Sequence, residues 1–168
     1  MEKSPIYVVA NNIRSLANVG LFFRISEAAN IEKLYLTGIT GHPEIEKDIR
    51  LTYQIEKDEN KINKTAIKTV QNVPWEYIKE PLEIIKSLKE KNVAIVSIEQ
   101  TPNSVSIWNA KFRFPVCLVF GHERLGVDKN ILQKSDLIVE IPMFGKGKSL
   151  NVTTAYGITI FEVLRQVI

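Results

Sequence analysis

Ile141-Pro-Met-Phe-Gly-Lys-Gly-Lys-Ser149-Leu-Asn151 runs straight into a long apolar helical pattern from Val152 to Val167. The preceding hydrophobic run, Leu137 to Ile141, reads as a buried strand. Strand, glycine loop and helix entrance in succession present free backbone N–H groups and the positive end of a helix dipole to a ligand. Gly145 and Gly147 permit close backbone approach. Ser149 and Asn151, two short polar side chains at the helix entrance, can cap the helix or hold a substrate. Gly147-Lys148-Ser149 also matches the end of a phosphate-binding P-loop. The first glycine of that pattern would fall on Pro142, which has no N–H to offer, so the P-loop reading is disfavoured.

Working outward, five further apolar runs read as strands: Ile6–Ala10, Leu34–Leu36, Trp75–Ile78, Val93–Ile98 and Val116–Phe120. Helical patterns lie between most of them. Val19 to Asn30 carries Phe22, Ile25 and Ala29 on one face, and Pro81 to Lys91 has Leu82, Ile85 and Leu88 on one face. Lys61 to Val70 is weaker, and Val127 to Gln133 is short. Alternating strands and helices predict an α/β fold with a largely parallel six-stranded sheet and helices on both faces. Val93–Ile98 and Val116–Phe120 are nearly unbroken in apolar residues, as strands covered on both faces require. Glu44 to Lys64, dense in charge of both signs, is expected to form an exposed loop and a helix start. The last helix leaves little polar face, so a second copy of the chain is expected to cover it.

The chain has 168 residues, 45% of them hydrophobic and 24% charged, with a net charge of +3 and a pI near 8.9. Those values fit a single domain over residues 1–168. A basic balance permits a polyanionic partner without demanding one. The single cysteine, Cys117, excludes an internal disulfide and a cysteine-based metal site. Neither a membrane span nor a signal-peptide core is expected, so a cytoplasmic location is the expectation.

Two other stretches carry candidate chemistry. Asn11 to Arg24 follows the first strand and opens the first helix, with Arg14 in its loop. Asn18 reads as a helix N-cap, Gly20 as a site of close packing, and Arg24 as either a functional cation or a surface partner of Glu27. A dinucleotide-binding protein would carry G-x-G-x-x-G here, and it is absent. Phe120-Gly-His-Glu123-Arg-Leu-Gly126 follows a buried strand at the end where open α/β sheets bind ligands. Glu123 and Arg124 can pair with each other, and His122 with His42 makes no metal cluster.

Three blocks in this order, Asn18-x-Gly20-x-x-x-Arg24, Val119-Phe-Gly-His-Glu123-x-x-Gly126-Val and Ile141-Pro-Met through Ser149-Leu-Asn151-Val, span nearly the whole chain. In them the chain resembles the SpoU (TrmH-like) RNA ribose methyltransferases of the SPOUT superfamily. The resemblance implies a C-terminal trefoil knot, a homodimer built through the C-terminal helix and knot region, and transfer of a methyl group from S-adenosylmethionine to a ribose 2′-hydroxyl of tRNA or rRNA, without a metal. It places the cofactor against Ile98, Glu99, Gly121, Ile141, Met143, Ser149 and Leu150. The catalytic set it implies is Arg24, Asn18, Glu123, Ser149 and Asn151, with Arg14, Arg24, Lys146 and Lys148 against the RNA. Several family members carry an extra RNA-binding domain, and residues 1–168 are expected to form a single methyltransferase domain with no separate RNA-binding extension. The alternative is an inert RNA-binding or ribosome-associated protein that keeps the fold.

Overall fold

A computed structural model describes residues 2–167. The strands are β1 (Ser4–Asn11), β2 (Ile31–Thr37), β3 (Trp75–Ile78), β4 (Ala94–Ile98), β5 (Val105–Ser106), β6 (Val116–Phe120) and β7 (Leu137–Glu140). The helices are α1 (Leu16–Ala28), α2 (Thr52–Ala66), α3 (Pro81–Glu90), α4 (Lys129–Leu132) and α5 (Val152–Val167), with a short 3-10 turn at Val70–Asn72. All pairings are parallel, in the order β3-β2-β1-β6-β4-β7-β5. The sheet therefore has seven strands, where the sequence predicts six. The added strand, β5, is two residues at the sheet edge, pairing Val105 with Val139 and Ser106 with Glu140, too short to leave an apolar run.

Alternation along each strand divides the core into two layers. Val8, Ala10, Leu34, Leu36, Val96, Leu118 and Phe120 pack with Phe22, Phe23, Ile62, Tyr156 and Ile160 from α1, α2 and α5. Val9, Tyr35, Ile95, Cys117 and Val119 meet Ile85 and Leu88 of α3 and Ile131 of α4 on the other face. Central β6 is buried at every position. Among the described residues no helix is long and apolar enough to cross a membrane.

The helix pair α1–α2 departs from the sequence reading. α2 starts at Thr52 and ends at Ala66, not over 61–70, because only Ile55, Ile62 and Ala66 are buried and the remainder is mostly charged or polar. The segment before it is braced, not loose. Arg50 donates to Asp48, Asp58 and the carbonyls of His42 and Pro43. The guanidinium bonded to Asp48 holds that carboxyl well below the usual range, and burial lowers the pKa of His42. Gly20 faces α2: a Cβ there would overlap Thr65 Oγ1 and the Ile62 carbonyl. α5 lies on α1 through a stacked Phe22–Tyr156 pair at 4.7 Å and a 2.9 Å Ser26–Tyr156 hydroxyl bond.

Candidate active site

The carboxyl ends of β1, β6, β4 and β7 converge, and the three sequence blocks meet there through polar side chains. Glu123, in the loop after β6, reaches the entrance of α1. Its Oε2 accepts from Arg14 N (3.1 Å), and its Oε1 accepts from Ser15 N (3.0 Å) and Asn18 Nδ2 (3.2 Å). Asn151 Nδ2 in turn donates to Asn18 Oδ1 at 3.4 Å. Burial, the largest influence, pushes the Glu123 carboxyl up. The N–H groups of Ser15, Arg14 and Glu123 itself, with the Asn18 amide, outweigh it and hold the carboxyl below its ordinary value. A negative group at the positive end of α1 is also favoured by the helix dipole.

The local contacts decide between the alternative readings of these residues. The N-cap of α1 is Ser15, whose side chain accepts from Asn18 N, so Asn18 is free of capping and joins Glu123 to Asn151 instead. Asn151 does cap α5: its Oδ1 accepts from Thr153 N (2.8 Å) and Thr153 Oγ1 (2.6 Å). Among the described residues neither Glu123–Arg124 nor Arg24–Glu27 forms an ion pair. A Cβ at Gly145 or Gly147 would meet nothing within 4 Å, so neither glycine is needed for close approach within the chain.

Beside this junction lies a cavity of about 430 Å³, walled by the loops after β4, β6 and β7 and the first turns of α5. Ile98, Glu99, Gly121, Ile141, Met143, Ser149 and Leu150 all line it, as do Glu123 and Lys148. The volume falls within the roughly 300–1,000 Å³ of small-molecule sites. Glu99 shapes its floor, accepting from Val127 N (2.8 Å) and Gln100 N (2.9 Å). Gly126, at φ +73°, leaves the room this carboxylate fills, and Gly121 lets the same loop close on itself, since a Cβ there would overlap the Gly126 carbonyl. His122 finishes the loop: its Nδ1 accepts from Arg124 N (2.9 Å) and Leu125 N (3.2 Å).

Not every candidate gathers here. Arg24, Arg14 and Lys146 are exposed and absent from the lining, and Arg14 contributes its backbone N–H to Glu123. Arg24 lies about 9 Å along α1 from Asn18 and about a third of a turn round from it. The sequence reading missed Gln100, Glu140, Val152 and Ala155 in the lining. Val152 and Ala155 share one face of α5 at three-residue spacing, a signal available in the pattern. Gln100 and Glu140 sit just past a strand and at a strand's end, where no pattern marks them. Among the described residues no cluster of His, Cys, Asp and Glu is arranged to hold a metal.

The chain has relatives among known proteins. The chain is 27% identical over 168 residues to the tRNA (guanosine(18)-2'-O)-methyltransferase of Aquifex aeolicus, covering 98% of this chain and 71% of that protein. It is 24% identical over 166 residues to the 23S rRNA (guanosine-2'-O-)-methyltransferase RlmB of Ralstonia nicotianae, covering 99% of this chain and 61% of that one. The crystal structure of an AdoMet-bound rRNA methyltransferase from Sinorhizobium meliloti shares the fold at a TM-score of 0.83 and 22% identity, over 99% of this chain and 58% of that chain. The chain thus spans about three-fifths of the length of the latter two. The family model described as SpoU rRNA Methylase matches residues 5–161, and on that match the chain belongs to the SpoU rRNA methylase family.

Proposed function

We propose that this protein is an S-adenosylmethionine-dependent RNA methyltransferase that modifies a ribose 2′-hydroxyl of tRNA or rRNA. The observation that carries the proposal is the cavity at the ends of β4, β6 and β7, which abuts the Glu123–Asn18–Asn151 junction. Its donor set fits the cofactor. Ile98, Ile141, Met143 and Leu150 offer an apolar wall for a flat heterocycle, and Glu99, Glu140 and Glu123 outnumber Arg124 and Lys148 among the charged lining residues, a balance suited to a cationic ligand. Bound S-adenosylmethionine supplies an electrophilic sulfonium methyl for transfer to a ribose oxygen that loses its proton. The relatives named for tRNA and 23S rRNA 2'-O-methylation support the substrate class.

The chain's own contribution is positioning. Ser149 and Asn151, at the α5 entrance, stand at the cavity rim to orient the nucleotide, and Lys146 and Lys148 supply cations for its phosphates. Asn18 is held by Glu123 on one side and Asn151 on the other, so its amide is fixed. A guanidinium stays protonated in protein settings, so Arg24 orients the hydroxyl and stabilises developing negative charge rather than removing the proton.

The homodimer and the C-terminal knot belong to the same proposal. Phe144, Leu150 and Phe161 are 90%, 38% and 53% exposed around the cavity and α5, an apolar surface suited to a second copy. Arg24 is exposed and lies outside the cavity of its own chain, which suits a site completed by the partner. The knot is supported by chain path: β7 lies between β4 and β5, and the chain after it returns to set α5 against α1.

Thermal unfolding with S-adenosylmethionine, against ATP with magnesium, tests the reading. Ligand at about 100 times its Kd adds roughly 2.7 kcal/mol. Stabilisation by S-adenosylmethionine alone is expected, and its absence would shift the reading to an inert RNA-binding protein. Arg24→Ala is then expected to abolish methylation of RNA while leaving that stabilisation intact.

A further inference from the structure

We propose that the outer face of α2 and the groove at its C-terminal end bind a single-stranded segment of the RNA substrate, away from the reacting ribose. This rests on the methyltransferase reading for the identity of the polyanion. Lys57, Lys61 and Lys64 recur at four- and three-residue spacing, so they lie within about 60° of arc on the helix. The buried stripe of Ile55, Ile62 and Ala66 is centred about 150° away. All three lysines are exposed, as is Lys68 beyond the helix end. Among the described residues none of the four is in an ion pair.

The acids of the same helix do not neutralise this stripe. Asp58 is taken by Arg50 Nη1 at 3.3 Å, and Glu59 Oε1 accepts Glu44 N at 2.9 Å. Glu56 lies about 110° round from the middle of the stripe. The Arg50 brace therefore anchors α2 and also occupies Asp58, the acid three residues before Lys61.

The stripe ends on a groove of about 940 Å³, lined by Asn63, Lys64, Ile67, Lys68, Gln71 and Trp75 among others. Trp75 is half-buried and set edge-on against Phe23 at 5.8 Å, so its ring is fixed by the core. Ile67 and Lys68 both have left-handed backbones, φ 50° and 64°, and Ile67 is 57% exposed. A β-branched residue in that region is rare and strained, a feature that concentrates at binding sites. A row of cations leading to a fixed aromatic ring is the composition of single-strand recognition: phosphates on the lysines, a base against the ring. Asn63 and Gln71 add donors and acceptors for a base edge. The surface is tied to the candidate active site, because Thr65 Oγ1 donates to the carbonyl of Ala17, next to Asn18, at 2.9 Å.

The test uses the full chain, unfractionated tRNA and an oligouridylate. With Lys57, Lys61, Lys64 and Lys68 all changed to Gln, the log–log dependence of RNA affinity on salt is expected to flatten by about 2.8, or 0.7 for each cation lost to a single strand. In a Trp108→Phe background Trp75 is the sole tryptophan, and oligouridylate is expected to quench its emission. An unchanged slope with unchanged emission, while RNA still binds, would overturn the proposal and leave α2 to a protein partner. No RNA binding by the wild type would overturn it as well. Stabilisation by S-adenosylmethionine, equal in wild type and lysine variant, keeps the methyltransferase reading standing in either case; its absence from both would remove that reading and leave the slope and the quenching to be judged alone.

Discussion

Replacing Glu123 with alanine removes a side chain that joins the β6 loop to the entrance of α1. The carboxylate accepts two backbone N–H groups there, and loss of a capping acceptor costs about 1 kcal/mol. Loss of a negative charge from the positive end of the helix adds roughly 0.3–1 kcal/mol. The hydrogen bond from the Asn18 amide contributes about 1 kcal/mol more. Arg14 is exposed, so water can take its freed N–H, and the expected total is about 2 kcal/mol. In a chain of this size each kcal/mol moves Tm by about 2–4 °C, giving a loss of roughly 4–8 °C for Glu123→Ala.

The pH dependence separates the carboxylate from mere packing. Hydrogen bonding holds the folded carboxyl below its unfolded value of about 4.3, so wild type has its full advantage above that pH. The advantage is lost as pH falls through the folded value, where the native carboxylate takes up its proton. Other acids, including the Arg50-bound Asp48, titrate in both proteins and cancel in the difference. Urea unfolding of wild type and Glu123→Ala, from about pH 7 down to about pH 3, is expected to give two stability curves that converge on the acid side. A gap unchanged at low pH would assign the stabilisation to loop packing. No gap near pH 7 would refute the brace altogether.

Gly20→Ala should push α2 away from α1, because the added methyl meets the Ile62 carbonyl, which is backbone and cannot rotate aside; a loss of about 1–3 kcal/mol by chemical denaturation is expected. Gly126→Ala carries a left-handed backbone penalty of roughly 1–2 kcal/mol and displaces the Glu99 carboxylate from the cavity floor. Calorimetry should show weaker S-adenosylmethionine binding, and unchanged affinity would separate that floor from the ligand. Cys117 is fully buried and burial pushes its thiol up, so a disulfide reagent should label it only at the rate of unfolding.

What the sequence discloses follows from how each element is buried. β6 and β4 are central, covered by helices on both faces, and so appear as unbroken apolar runs. β5 meets only β7 at the edge and needs no such run. α2 hides its first half because Leu51, its N-cap, provides no side-chain hydrogen bond and the inward residues come once in two turns. The cap of α1 is misplaced for a different reason. Ser15 and Asn18 are both good capping residues, and the choice between them is made by Glu123, 105 positions away in sequence. No local pattern carries that contact. Gly121, Glu123 and Ser149 in the cavity lining are legible from their places at a strand's end and a helix entrance, whereas Ile98, Ile141 and Met143 come only through the resemblance, since apolar residues at strand ends fit an ordinary core equally well.

The junction at Asn18 also explains why three short blocks so far apart in the chain share one frame. Parallel strands bring their carboxyl ends to one edge, but the loops beyond those ends have no ladder to hold them. Asn18 supplies the missing tie: its amide nitrogen donates to Glu123 while its oxygen accepts from Asn151. Asn151 is at once the cap of α5, so moving that helix entrance moves its amide as well. Glu123 and Ser149 both line the cavity, whereas Asn18 stands on the helix that carries Arg24. A ligand that draws the α5 entrance toward the cavity therefore pulls on α1 through the Asn151–Asn18 hydrogen bond. Asn18→Asp would keep the acceptor for Asn151 but set a carboxylate against Glu123, breaking the tie at one end only. Under the proposed function, that variant should still bind S-adenosylmethionine while losing turnover, with cofactor affinity by calorimetry and methyl transfer to RNA measured side by side. Equal loss of both would place Asn18 in the cofactor cavity and end its assignment as the joint.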